Sequence, residues 1–194
     1  MITEQEFKTA ANLLNVDVAS VKAVKNVESN GNGFLPSGKM KILFEGHIFW
    51  KELKKLNKNP ENILANNLNY SNILYPKWTK KYYKGGEAEW NRFNEAAQID
   101  ETAAKLSTSY GLFQIMGFNY INCGFSNVND FFNFMSENEG NQLYAFCSFI
   151  KNDKKMHNAL KNKDWATFAK LYNGPAYKEN KYDTKLENEY KKLV

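Results

Sequence analysis

Among the groups in this sequence that can do chemistry, Glu28 is set apart by its surroundings. It follows Val18, Val21, Val24 and Val27, which recur at helical spacing, and it precedes the stop Asn30-Gly31-Asn32-Gly33. Its carboxylate therefore belongs to the last turn of a helix, facing the negative end of the macrodipole beside an apolar face, and both effects disfavour the ionised form. A carboxyl group that keeps its proton toward neutral pH can deliver it to a leaving oxygen as a general acid. Glu45 is the candidate partner, because it is flanked by Phe44 and Ile48, and a carboxylate amid apolar residues is seldom there without a partner or a task. Two readings stay open: Glu45 takes part in catalysis, or it caps a helix or pairs with a lysine. His47 would share its face on a strand. Asp100, Glu101 and Glu137 suit a helix surface or terminus better.

Other chemistries are poorly supplied. The only histidines are His47 and His157. Glu45-Gly46-His47 offers two metal ligands without an HExxH, so a structural histidine is the better reading and no metal is expected. There is no GxSxG, and Gly31-Asn32-Gly33 lacks the third glycine and preceding strand of a dinucleotide loop, so no cofactor is expected. The charge is 26 − 21 = +5 with a pI near 9.0, which biases the chain toward anionic surfaces. From Lys178 to Lys191, however, lysines alternate with carboxylates, as on a solvated helix face rather than a phosphate track, so nucleic acid is not the expected partner. Tyrosines and tryptophans in a groove would instead stack on sugar rings. Cys123 and Cys147 are expected as free buried thiols, since Cys147 falls in the apolar run Leu143 to Cys147.

These groups must be positioned by helices. Thr3 and Glu6 have capping-box spacing ahead of a helix over residues 4 to 14, and Asp17 opens a second that ends at Glu28. Residues 41 to 45 read as a short strand or the lead-in to a helix over 48 to 56. Residues 57 to 86 form an irregular excursion with room for a small sheet, and a loop that long is usually functional. Helices are predicted over 87 to 106, 112 to 116, 128 to 135, 137 to 151, 155 to 161, 164 to 172 and 180 to 193. The chain of 194 residues is thus mainly α, one domain spanning 1–194, with at most a small minor sheet. No apolar run reaches the ~18 residues of a membrane span and the N-terminus lacks a secretory pattern, so synthesis and first residence in a cytoplasm are expected, without stable membrane insertion.

Three ordered segments resemble the lysozyme-like superfamily, in particular soluble lytic transglycosylases and goose-type lysozymes. Glu28-Ser29 resembles the catalytic Glu-Ser element. Gly111-Leu112-Phe113-Gln114-Ile115 resembles the cleft-lining Gly-Leu-Met-Gln-Ile element with Phe113 in place of Met, and Leu171-Tyr172-Asn173 resembles Ala-Tyr-Asn. A closer resemblance, to the N-acetylmuramidase domain of bacteriophage endolysins, runs through Val24 to Phe34, Leu43 to Phe49, Tyr83 to Gly86, Gly111 to Gly117, Met135 to Glu137, Gln142-Leu143, Asp164-Trp165 and Tyr172 to Tyr182. It implies a lysozyme-like fold and cleavage of the β-1,4 bond between N-acetylmuramic acid and N-acetylglucosamine, with Glu28 as general acid and Glu45 as candidate second carboxylate. Ser29, His47, Gln114, Ile115, Tyr172 and Asn173 would contact substrate. It further implies a monomeric one-domain endolysin, without a separate cell-wall-binding module, held in the host cytoplasm until release and acting on peptidoglycan glycan strands in the periplasm to lyse the cell. Hydrolysis and lytic transglycosylation both stay open, since the latter needs only one glutamate and the substrate's own 6-hydroxyl.

Overall fold

The computed structural model describes residues 1–28 and 31–194. Among them are eleven α-helices and one three-stranded antiparallel sheet, so the chain is mainly α with a minor sheet, as its periodicity predicts. Helix α1 (Glu4–Leu14) starts on a complete capping box: Glu6 N donates to Thr3 Oγ1 at 3.2 Å and Thr3 N to Glu6 Oε2 at 2.6 Å. Its buried Phe7, Ala10, Ala11 and Leu14 recur at three and four residues, and that spacing makes one apolar face. Helix α2 (Val18–Glu28) buries Val21 and Val24 and ends on the candidate acid.

The open choice at residues 41 to 45 resolves into both alternatives. Strand β1 (Ile42–Phe44) leads directly into α3 (Gly46–Lys55), with Glu45 as the hinge residue in extended backbone. The excursion over 57 to 86 carries α4 (Pro60–Asn66) and a 3-10 turn at Leu68–Asn72 rather than a sheet. Its sheet-forming capacity goes unused because the partners of β1 lie elsewhere, in β2 (Thr108–Tyr110) and β3 (Ile115–Met116).

Two further expectations are corrected. The single helix over 87 to 106 is divided into α5 (Glu87–Ile99) and α6 (Glu101–Leu106), because Asp100 is extended and its side chain accepts from Ala103 N at 2.8 Å, a cap that starts a new helix. The helix over 112 to 116 is a β2–β3 hairpin. Gly111 (φ 67°) and Gln114 (φ 49°) occupy the left-handed region, which a right-handed helix does not tolerate. The amide of Leu112 is turned away to Gln142 Oε1 at 2.7 Å.

The remaining helices are α7 (Val128–Glu137), α8 (Glu139–Asn152), α9 (Lys154–Lys161), α10 (Trp165–Asn173) and α11 (Tyr182–Leu193). Helix α8 runs through the core with Leu143, Phe146, Cys147 and Ile150 buried. Both cysteines are free and buried, and burial pushes each thiol up to about 12. Helix α11 closes the fold by packing along α2 and α10, which brings the end of the chain against Glu28. Among the described residues no helix is long and apolar enough to cross a membrane.

Candidate active site

The carboxyl group of Glu28 stands at the head of a cleft of about 550 Å³, formed by the end of α2, Lys41, and the face of α11 that carries Tyr182, Lys185 and Asn188. Burial pushes the carboxyl up to about 7, against the hydrogen bond from Asn173 and the positive charge of Lys185, which both pull it down. At neutral pH a large share of the group is therefore protonated. The Asn173 amide donates to Oε1 at 3.0 Å, which restrains the carboxyl and leaves Oε2 without that bond.

The three short segments that resemble one superfamily meet here. Tyr172, next to Asn173, donates its hydroxyl to the carbonyl of Phe113 at 2.7 Å and so bolts the end of α10 to the hairpin turn. Beneath the turn lies Gln142, fully buried. Its Oε1 accepts from Leu112 N at 2.7 Å and its Nε2 donates to the Met135 carbonyl at 3.0 Å. A Cβ on Gly33 or on Gly111 would collide with that side chain, so a larger residue at either position would displace Gln142 from its two hydrogen bonds. Gln114 folds back over the sheet, accepting from Ser109 Oγ at 3.0 Å and donating to the Gly111 carbonyl at 2.8 Å.

Glu45 follows β1 at the end opposite Lys41 and is not among the residues that line the Glu28 cleft. Tyr83 donates to its carboxylate, with Oη 2.6 Å from both oxygens. Burial raises the Glu45 carboxyl above its usual value, opposed by the Tyr83 hydrogen bond and the Arg92 charge. A buried ion pair holds the two chain segments together. Arg92 Nη1 lies 2.8 Å from Glu89 Oε2, with both side chains 2% exposed or less. The pair grips Phe44 by both backbone groups, since Phe44 N donates to Glu89 and Arg92 donates to the Phe44 carbonyl. Glu89 also accepts from Lys84 N and Gly85 N at 2.7 and 3.3 Å. The residue before Glu45 and the residues after Tyr83 are thus fixed by one clasp.

An N-acetylmuramidase family model matches residues 17–194, nearly the whole chain. The chain belongs to the N-acetylmuramidase family. It is accordingly a glycoside hydrolase, and the substrate of the family is peptidoglycan. The crystal structure of the Burkholderia AP3 phage endolysin superposes with a TM-score of 0.90 at 41% sequence identity, over 99% of this chain and 71% of that one, which establishes the lysozyme-like fold. No curated protein matches the chain.

The remaining candidates of this muramidase are distributed unevenly. Ser29 lies outside the described residues. His47 is in the first turn of α3 rather than on a strand with Glu45. Its Nδ1 lies 3.2 Å from Glu45 Oε2, but it is out of line for a hydrogen bond and buried without a partner. Burial and Lys51 hold the imidazole below its usual pKa, hence neutral. The side chain of Ile115 is 3% exposed and belongs to the core. The Tyr172 ring packs among Phe146, Phe149 and Phe168 with its hydroxyl spent on Phe113, so it braces the site instead of facing substrate. Asp100 caps α6 and pairs with Lys58 at 2.7 Å, Glu101 pairs with Lys105, and Glu137 accepts from Asn141. Among the described residues no three His, Cys, Asp or Glu side chains gather into a metal site.

Reading the residues alone misses Tyr83, the Glu89–Arg92 clasp, Gln142 and Lys185. A signal existed for Arg92, which is the single arginine in a chain whose other 25 cations are lysines. Arginine is preferred where several buried acceptors must be served at fixed geometry.

Proposed function

We propose that this muramidase is an endolysin that hydrolyses the β-1,4 bond between N-acetylmuramic acid and N-acetylglucosamine, with Glu28 as its general acid. Residues 1–194 act as one catalytic unit and as a monomer, released from the infected cytoplasm to reach periplasmic peptidoglycan and lyse the host. The observation that carries the reading is the Glu28 carboxyl, held protonated toward neutral pH by burial at the head of a cleft. Oε2 donates its proton to the glycosidic oxygen as the bond to the anomeric carbon breaks, while Asn173 restrains the carboxyl. Lys185 stabilises the carboxylate left behind. Gln114, next to the Phe113 carbonyl that Tyr172 holds, contacts the glycan strand beside the cleft.

Glu45 is the second carboxylate. Tyr83 holds it and the orphaned Nδ1 of His47 adjoins it, so polar groups able to hold a water molecule stand together there. We assign to Glu45 the positioning of that water or the stabilisation of positive charge at the anomeric carbon. Mass spectrometry of peptidoglycan digested by the pure protein tests the reading: reducing N-acetylmuramic ends are expected, 1,6-anhydro ends would replace hydrolysis by transglycosylation, and an undigested sacculus would overturn the activity. For Glu45→Gln, turnover and melting temperature are compared. A turnover loss of roughly 10²-fold or more at unchanged stability is expected, whereas parallel losses of both make Glu45 structural.

A further inference from the structure

The positive charge of this chain is localised. Residues 73–86 contain Lys77, Lys80, Lys81 and Lys84 and no carboxylate, a local +4, whereas the other 180 residues hold 22 cations against 21 acids. All four lysines are exposed, and among the described residues no carboxylate pairs with any of them. The acids that flank the segment or touch it are already engaged: Glu61 by Lys54, Glu87 by Ser37 and Lys39, Glu89 by Arg92 and Glu45 by Tyr83.

The same segment presents aromatic rings. Trp78 is 59% exposed, with Lys80 Nζ 5.7 Å from its ring centroid, and Lys81 Nζ lies 5.2 Å from that of Tyr82. Tyr82 leans on Tyr75 at 5.1 Å between centroids. Although it has no regular secondary structure, the segment is held at both ends. The Tyr75 hydroxyl accepts from Gly46 N at 3.2 Å and from Arg92 Nη2 at 3.3 Å. Tyr83 donates to Glu45, and the Lys84 and Gly85 amides to Glu89. An exposed tryptophan among uncompensated cations, on a platform tied directly to Glu45, matches a ligand that offers both flat sugar faces and carboxylates.

We propose that the segment from Lys77 to Lys84 is an outer binding subsite for the peptidoglycan strand, in which Trp78 stacks on a sugar ring and the lysines hold the carboxylates of the peptide stems. The proposal rests on the muramidase reading of the Glu28 cleft, since it needs a glycan strand that extends past Glu45. Peptide-bearing sacculi would then be preferred over stripped glycan strands, and the preference would weaken as salt screens the lysines.

The test measures binding in the catalytically silenced Glu28→Gln background, with sacculi and with amidase-treated, peptide-free glycan strands as probes. Trp78→Ala is expected to weaken binding to both about tenfold, the scale for truncating a stacked interface tryptophan. Replacing Lys77, Lys80 and Lys81 together by Gln should weaken sacculus binding about tenfold, roughly the sum of three exposed ion pairs. It should leave a markedly smaller loss on peptide-free strands and abolish most of the salt dependence. In the active background the same losses should appear in KM rather than kcat, with melting temperatures unchanged because the replaced side chains are exposed. Binding of both variants to sacculi within twofold of the parent overturns the proposal. So does a lysine-variant loss equal on both probes, or one seen only with anionic phospholipid vesicles, which would make the segment a lipid site. Failure of the muramidase reading is separate: wild-type protein would then leave peptidoglycan undigested, whatever the variants bind.

Discussion

Proton affinity at Glu28 serves catalysis and opposes stability at once. Its folded carboxyl is pushed up to about 7 from 4.5, so between those values the native state binds more protons than the unfolded chain, and stability falls as pH rises through that window. The loss is complete above about pH 7 and is on the order of 3 kcal/mol. The amide in Glu28→Gln does not ionise and escapes that loss. We expect Glu28→Gln to be inactive and to melt at increasingly higher temperature than wild type from pH 4.5 to pH 8, with a constant gap beyond, as read by calorimetry across that range. A gap independent of pH would mean that the carboxyl is not perturbed. For wild type the basic limb of kcat/KM should fall near pH 7, because the acid must carry its proton.

At the scale of elements, the β1–α3 corner and the segment before α5 are two pieces of backbone joined by one buried ion pair. Glu89 and Arg92 are one helical turn apart on α5 and together make eight hydrogen bonds, six of them to backbone groups of Phe44, Asn72, Lys84 and Gly85 besides their own pair and Tyr75. Removing one partner strands the other charge in a dry site. Arg92→Met should therefore destabilise the fold by about 3–5 kcal/mol, visible as a lower denaturant midpoint, and should reduce turnover further by releasing Tyr83 from Glu45. An unchanged midpoint would show that water reaches Glu89 and that the clasp is open.

For the molecule as a whole, the environment of the acid is completed by the far end of the chain. Lys185 and Tyr182 on α11 face Glu28 across the cleft, 157 residues away for Lys185 by number. Leu186, fully buried, is the anchor of that helix. Leu186→Ala should cost about 2–5 kcal/mol and loosen α11 from α2. Water then reaches Glu28, its pKa drops toward the ordinary carboxylate value, and the basic limb of the activity profile moves to lower pH. Paired denaturation and pH–rate measurements check this, and a stability loss with an unmoved limb would place the burial of Glu28 elsewhere.

Local interactions were legible in the sequence. The capping box at Thr3, the valine face of α2 and the glycine-rich stop after it depend on residues within a turn or two of each other, so helix class and the place of Glu28 in a last turn follow from spacing alone, whereas its burial is completed by α11. The hairpin at Gly111 to Met116 did not, because its turn is set by Gln142, distant in sequence, which takes the Leu112 amide and leaves no space for a Cβ on Gly111. Glu89 and Arg92 have the spacing of an ordinary surface pair, and only the packing of β1 and Tyr75 over them makes the pair a buried clasp. Tyr172 and Asn173 adjoin in sequence, yet only tertiary structure separates a brace on Phe113 from a donor to Glu28. Periodicity records which face of an element is apolar, but burial of a charge and the partner of a hydrogen bond are decided by whichever distant segment lands on that face.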